Sequence, residues 1–416
     1  MELLAGGGWP RPTREEGWRR LEAFLPYAWG YGERRNYVEP PAHRNVSGLS
    51  PWLQKRLVLE EEVVAAARAW WGFRRVEKFI QEACWRTYWK GWMEHRPETW
   101  GRWHAAVPRL RDEWSGPGGR RADLEAALAG RTDIACFNAW ARELRETGWL
   151  HNHARMWFAS IWIFTLRLPW ELGAAFFNEH LLDGDAASNT LSWRWVAGLH
   201  TPGKTYLARA ENIARYLGSE YAPPEGRLAT EAFAIREEPL ERIVPPPRPS
   251  GWREAEIGSG PGAGRVGLWL HPEDLCAELG GLADAPVAAI FAGWPRTLAA
   301  RAGWSPRVEA WTREALADGA GRAARRFECG LAEGAHDDLA AAMTEWARAE
   351  RLTAVLVHEP MQGAWRPEAL AVERALGAAG VRMTWIRRKW DDRLWPHATR
   401  GFFPFWEAIK REQGLG

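Results

Sequence analysis

Residues 181–195 read LLDGDAASNTLSWRW, and these fifteen positions hold two carboxylates (Asp183, Asp185), a carboxamide (Asn189) and two indoles (Trp193, Trp195). Gly184 between the acids, with small residues after them, lets the backbone come close to a ligand. Taken alone, the stretch could equally be a helix-ending loop with two solvated acids. The segment before it weighs against that reading. TGWLHNHARM (147–156) opens a long apolar run, WFASIWIFTLRLPW, whose hydrophobicity is too continuous for a surface helix and predicts a buried one reaching Trp170. On a helix, Asn152, Arg155 and Met156 stand at i, i+3 and i+4 and share a face. A guanidinium inside an apolar bundle needs an anion, and Asp183 is the partner the sequence offers.

A chain of 416 residues predicts about two or three domains, and 46% apolar with 26% charged residues is ordinary globular composition. A formal net charge of +2 does not call for a polyanionic partner, although it leaves room for a local basic cleft. The four cysteines (Cys84, Cys136, Cys276, Cys329) lie far apart without a CxxC pair. This argues against a metal site and a disulfide framework, and suits a reduced, cytoplasmic compartment. The N-terminus lacks the basic and apolar regions of a signal peptide. The long apolar run carries Arg167 and is preceded by Arg155, so a soluble chain without a membrane span is expected. Thirty tryptophans are the compositional outlier; most are expected in the core, with a minority as stacking surfaces or electron relays.

Helical spacing runs from Glu15 to Tyr27. In NVSGLSPWLQKRL, Ser50 before Pro51 reads as an N-cap, and Ser47 and Ser50 offer a phosphate site at a helix start. From Arg75 to Met93 another helix carries Glu82, Trp85, Arg86 and Trp89 on one face. YAPPEG, VPPPRPSG and GSGPGAG then mark a linker. Beyond it, VGLWL, VAAIF, TAVLVH and VRMTWI read as buried strands. Helical segments at 273–282, 307–316, 337–348 and 367–378 separate them, as in a parallel sheet with helices on both faces. No G-x-G-x-x-G is present.

GW-x-HN-x-x-RM, the apolar helix, DGD-x-x-SN-x-x-x-W-x-W and E-x-x-W-R resemble the FAD-binding domain of the cryptochrome/photolyase superfamily. Within it they are most similar to photolyases that repair cyclobutane pyrimidine dimers. LWLHPEDL, AVERALGAAGV and WDDRLWPHATRGFFPFWEAIK resemble the antenna-type α/β domain that precedes the FAD domain in that family. The resemblance therefore implies an α + α/β chain with the domain order circularly permuted. An all-helical FAD-binding domain (1–220) comes first, then a Pro/Gly-rich linker (221–264), then a doubly wound, Rossmann-like parallel-sheet domain (265–416).

The same resemblance implies FAD held by Tyr31, Ser47, Leu49, Ser50, Arg86, Asn152, Arg155, Asp183, Asp185 and Asn189. Val46 and Gly48 stand where the family usually has threonine and arginine. It implies UV-damaged DNA as partner, with Glu82 and Asn152 as polar contacts to a flipped pyrimidine dimer, Trp85 and Trp195 as aromatic walls, and Met156 beneath. Trp193 and Trp170 match the inner two members of the family's tryptophan electron chain, and Trp114, Trp157 or Trp162 stands for the outer one. Arg35 and His153 are the expected contacts to DNA phosphate. Trp365 replaces a glutamate that contacts a folate antenna, which makes a second chromophore doubtful. A monomeric, light-driven lyase is the expected activity. The alternatives are a cryptochrome-like photoreceptor, kept open by Thr190, Leu191 and Ser192 before Trp193, and a non-catalytic nucleic-acid-binding module.

Overall fold

The computed structural model describes residues 10–39, 44–116, 119–252, 264–412 and 414. Most of the GSGPGAG run, part of the Pro-rich turn near residue 40 and part of WSGPGGRR therefore lie outside the described residues. Helices come first: α1 (Arg14–Phe24), α2 (Tyr31–Arg34), α3 (Ser50–Gln54), α4 (Glu60–Trp71), α5 (Phe73–Glu94) and α6 (Glu98–Ser115). They continue as α7 (Gly119–Ala129), α8 (Ala135–Thr147), α9 (Asn152–Ser160), α10 (Trp170–His180), α11 (Ala186–Val196) and α12 (Ala210–Tyr216). Caps follow the local chemistry. Thr13 accepts from Glu16 N at the start of α1, and Asp185 accepts from Ser188 N at the start of α11.

The buried helix is shorter than its hydrophobicity predicts. After Ser160 the chain passes through a π-helical turn (Ile161–Thr165) and stops at Arg167, whose φ of 54° leaves the helical region. Trp170 opens α10 instead of closing α9, because Pro169 cannot extend the preceding helix.

The second half holds strands β1 (Arg265–Trp269), β2 (Val287–Pro295), β3 (Gly330–His336), β4 (Leu352–His358) and β5 (Arg382–Ile386). Helices α13 (Leu298–Ala302), α14 (Pro306–Phe327), α15 (Leu339–Ala349), α16 (Trp365–Ala378), α17 (Lys389–Leu394) and α18 (Phe402–Glu412) join and follow them. The strands pair in parallel in the order β3-β2-β1-β4-β5. This is a doubly wound sheet whose order reverses between β1 and β4. Strand β3 was not predicted: GLAEGAH is half exposed, poor in β-branched residues and pairs only at the sheet edge. Segment 273–282, predicted helical, is irregular. Its Asp274 carboxylate is drawn into a buried charge cluster, and Leu275 N donates to Lys55 O at 3.1 Å.

That cluster joins the sheet to the helices. Arg56 reaches Asp274 (3.1 Å) and Asp391 (2.5 Å), Arg388 donates twice to Asp274 (2.7 and 2.5 Å), and Lys90 meets Glu60 (3.1 Å). Nearby, Arg366 meets Glu94 (2.7 Å) and Arg387 meets Glu359 (2.8 Å). One apolar core runs from α1, α4 and α5 into the sheet; a second is built from α6 and α8 to α11. The final helix packs on α5. Phe402 stacks on Trp85 (3.8 Å, 7°), Trp406 stacks on Phe73 (6.1 Å, 26°), and Trp406 Nε1 donates to Glu77 Oε1 (3.1 Å). Trp365 is fully buried against the rings of Trp269, His271 and Trp294, beside the point where the strand order reverses.

Candidate functional site

A cavity of about 550 Å³ opens between α3, α5, α9, α10 and α11. Helix α9 presents Asn152, Arg155 and Met156 to it, as their spacing requires. Arg155 Nε donates to Leu150 O (2.8 Å) and Nη1 pairs with Asp183 (3.0 Å), so the guanidinium is fixed along the wall. Burial would raise the Asp183 carboxyl, but Arg155, Arg86 and the Ser50 hydroxyl together hold it below the ordinary carboxylate value. Arg86 is ion-paired with Asp185, the residue that caps α11. Asp185 itself does not line the cavity, so of the two acids in DGD one faces the ligand space and the other fixes the arginine beside it.

Asn189 is buried, and its amide NH₂ donates to Ala174 O (2.8 Å), which leaves its carbonyl oxygen as an acceptor. Helix α5 contributes Glu82, Trp85 and Arg86 from one face, together with Trp89. Burial raises the Glu82 carboxyl, and Arg35 opposes that shift. Tyr31, Ser47, Leu49 and Ser50 close the α2–α3 side, and Trp193 and Trp195 come from α11. Ser50 is the first residue of α3, not its N-cap. Leu49 holds the cap position without a side-chain bond, and Gly48 supplies the turn at φ 62°.

Besides Asp185, the predicted residues Trp170, Trp114, Arg35 and His153 stand away from the cavity. Trp170 is buried under the Arg194 guanidinium (5.7 Å), and Trp114 is half-buried against the second core. Arg35 acts on Glu82 only through its charge. His153 corrects an expectation. Its Nδ1 bonds Asn36 O (2.8 Å), its Nε2 meets the Tyr206 hydroxyl (3.4 Å), and its ring stacks on Trp157 (4.2 Å). It is a hydrogen-bonded core histidine, 8% exposed, not the surface side chain expected of a phosphate contact. Burial lowers its pKa below the ordinary histidine value. Trp162 stands closer to the site than the spacing suggested, edge-on to Trp193 at 6.2 Å. Trp149, Phe177 and Phe403 also line the cavity. Trp149 sits in TGWLHNHARM, whereas Phe177 lies beyond the run ending at Trp170 and Phe403 comes from the far end of the chain; neither of these two carried a sequence signal.

The donor set suits a flavin dinucleotide. Asp183 Oδ1 and Ser188 Oγ are buried without a partner, Asn189 lines the same space, and Arg155 brings positive charge to the same wall. Such orphaned groups call for a polar ligand. Among the described residues no cluster of His, Cys, Asp and Glu is placed to hold a metal ion, and no helix is long and apolar enough to cross a membrane.

Fold and site thus define a helical unit with a polar ligand cavity, joined to a doubly wound sheet. Residues 79–219 match the family described as the FAD binding domain of DNA photolyase. A deoxyribodipyrimidine photo-lyase of Streptomyces griseus is 31% identical over 250 residues, covering 56% of this chain and 50% of that enzyme. One from Thermus thermophilus is 32% identical over 225 residues, covering 52% and 50%. The crystal structure of a bacterial class III photolyase from Agrobacterium tumefaciens aligns at 25% identity and a TM-score of 0.42, covering 50% of this chain and 44% of that one. The chain spans about half the length of the curated relatives it matches. These matches support the cryptochrome/photolyase superfamily, and residues 79–219 carry its FAD-binding domain.

Proposed function

We propose that the chain repairs UV-damaged DNA by light, splitting cyclobutane pyrimidine dimers. The observation that carries this reading is convergence: Glu82, Trp85, Asn152, Met156 and Trp195, spread over more than a hundred residues, line one cavity with Arg155, Asp183 and Asn189. The chemistry supplied by bound FAD is photoexcited electron donation to the dimer and recovery of that electron once the cyclobutane bonds have opened. The protein's share is position and exclusion of water. Tyr31, Ser47, Leu49, Ser50, Arg155, Asp183 and Asn189 hold the cofactor, with Arg86 kept in place by Asp185. Glu82 and Asn152 offer polar contacts to the pyrimidine edge, Trp85 and Trp195 stack on it, and Met156 fills beneath. A dimer is poorly stacked and paired, so extruding it costs less than extruding a normal pair. Trp193, Trp170 and an outer tryptophan, Trp114 with Trp157 or Trp162 as alternatives, carry electrons toward the flavin.

We further propose that the domain order is permuted relative to the family, with the helical FAD domain at 1–220, the linker at 221–264 and the α/β domain at 265–416. A cryptochrome-like photoreceptor is the second reading. Burial of His153 favours it by removing one expected contact to DNA phosphate. Illumination of the photoreduced protein with an oligonucleotide carrying one thymine dimer decides between them. Light-dependent recovery of thymine absorbance supports repair, and a bound, reducible flavin without recovery overturns it in favour of the photoreceptor.

A further inference from the structure

Helix α18 buries Phe402, Phe405, Trp406, Ala408 and Ile409, yet leaves Phe403 69% exposed. A single exposed phenylalanine means little by itself. This one lines the cavity that holds Glu82 and Trp85, and its helix is held firmly in place. Tyr88 Oη donates to Arg400 O (2.6 Å), Arg96 Nη2 donates to Thr399 O (3.0 Å), and Phe402 lies flat on Trp85. One face of Trp85 is therefore covered by protein, and Phe403, edge-on to Phe402 at 6.0 Å, continues the aromatic surface outward to the rim. A flipped dinucleotide leaves its neighbouring base with one face unstacked, and a rigid aromatic ring at the rim of the receiving cavity is suited to cover it.

We propose that Phe403 stacks on the nucleobase flanking the extruded lesion and so holds the opened strand while the dimer occupies the cavity. This rests on the repair reading above. It makes Phe403 a positioning residue, supplied by the segment that follows the sheet. The cost of losing it is the worth of one base–aromatic stack, on the order of tenfold in Kd.

The test is dark binding, by fluorescence anisotropy, of the flavin-loaded wild type, Phe403→Ala and Phe403→Trp. Three oligonucleotides are used: undamaged, dimer-containing, and dimer-containing with abasic sites in place of the flanking bases. Flavin absorbance confirms that each variant keeps its cofactor. The expected result is that Phe403→Ala binds the dimer oligonucleotide about tenfold more weakly than wild type, that Phe403→Trp does not, and that the gap closes on the abasic version. A wild type that prefers the dimer while Phe403→Ala matches it, or loses equally on both dimer oligonucleotides, overturns the role of Phe403 alone. A wild type with no preference for the dimer overturns the repair reading and this inference with it.

Discussion

Gly173 offers the sharpest structural prediction. A Cβ at this position would lie 2.3 Å from Trp193 Cη2, 2.4 Å from Trp193 Cζ3 and 2.9 Å from Trp162 Nε1, where ordinary contact begins at 3.4 Å. The indole cannot simply retreat. Phe177 (5.1 Å), Trp162 (6.2 Å) and Phe158 (6.4 Å) meet it edge-on, and it is 2% exposed. The open direction is the cavity that Trp193 lines. Overpacking costs typically about 1–3 kcal/mol, and an overlap above an ångström on a boxed ring belongs at the upper end. Replacing a helical glycine by alanine returns about 1 kcal/mol. Gly173→Ala is therefore expected to lose roughly 2 kcal/mol and to weaken flavin binding as Trp193 is pushed into the ligand space. Urea denaturation and release of fluorescent FAD measure the two effects. Adding Trp193→Phe, which removes both offending ring atoms, should restore most of the stability. A Gly173→Ala protein as stable and as flavin-loaded as wild type would refute the reasoning.

Three further outcomes follow from the same geometry. Arg56→Met leaves Asp274 and Asp391 buried with one partner fewer, so it should cost about 3–5 kcal/mol in denaturant unfolding; a loss under 1 kcal/mol would mean the cluster rearranges freely. Glu273 is pushed up to about 7 from an ordinary 4.5, by burial first, with Met361 N–H and Lys55 opposing. Its contribution is thus fully present below pH 4.5 and lost as pH rises through about 7. Glu273→Gln should flatten stability across that window, and an unchanged pH profile would assign the titration elsewhere. Asn189→Asp places a carboxyl against the Ala174 carbonyl, where it must keep a proton. The photoreduced flavin spectrum should then become pH-dependent in the variant and not in wild type, while FAD stays bound.

The sequence was most legible where one helix face carried the chemistry. The positions of Asn152, Arg155 and Met156 on α9, and of Glu82, Trp85 and Arg86 on α5, follow from a 3.6-residue period. The Arg155–Asp183 pair follows from the cost of a buried guanidinium. Four strands were legible as short apolar runs, whereas β3 was not, since an edge strand needs little hydrophobicity. The helix expected at 273–282 failed because spacing says nothing about Asp274 being claimed by Arg56 and Arg388. His153 shares a motif with site residues, yet its place on α9 turns it toward Trp157 and the core. Phe403 could not be foreseen at all, because its position depends on how α18 returns to α5 across more than three hundred residues.

Dimer splitting by Glu82→Ala decides the proposal that one cavity holds both the flavin and the lesion. Wild type and variant, loaded equally with photoreduced FAD and saturated with a thymine-dimer oligonucleotide, would be illuminated with blue light and followed by recovery of thymine absorbance. Loss of a hydrogen bond to a charged group is worth about 1.5–3 kcal/mol. Splitting is expected to fall at least about tenfold while flavin absorbance and photoreduction are unchanged. Splitting at the wild-type rate in the variant, or none in wild type with reduced flavin bound, would contradict it.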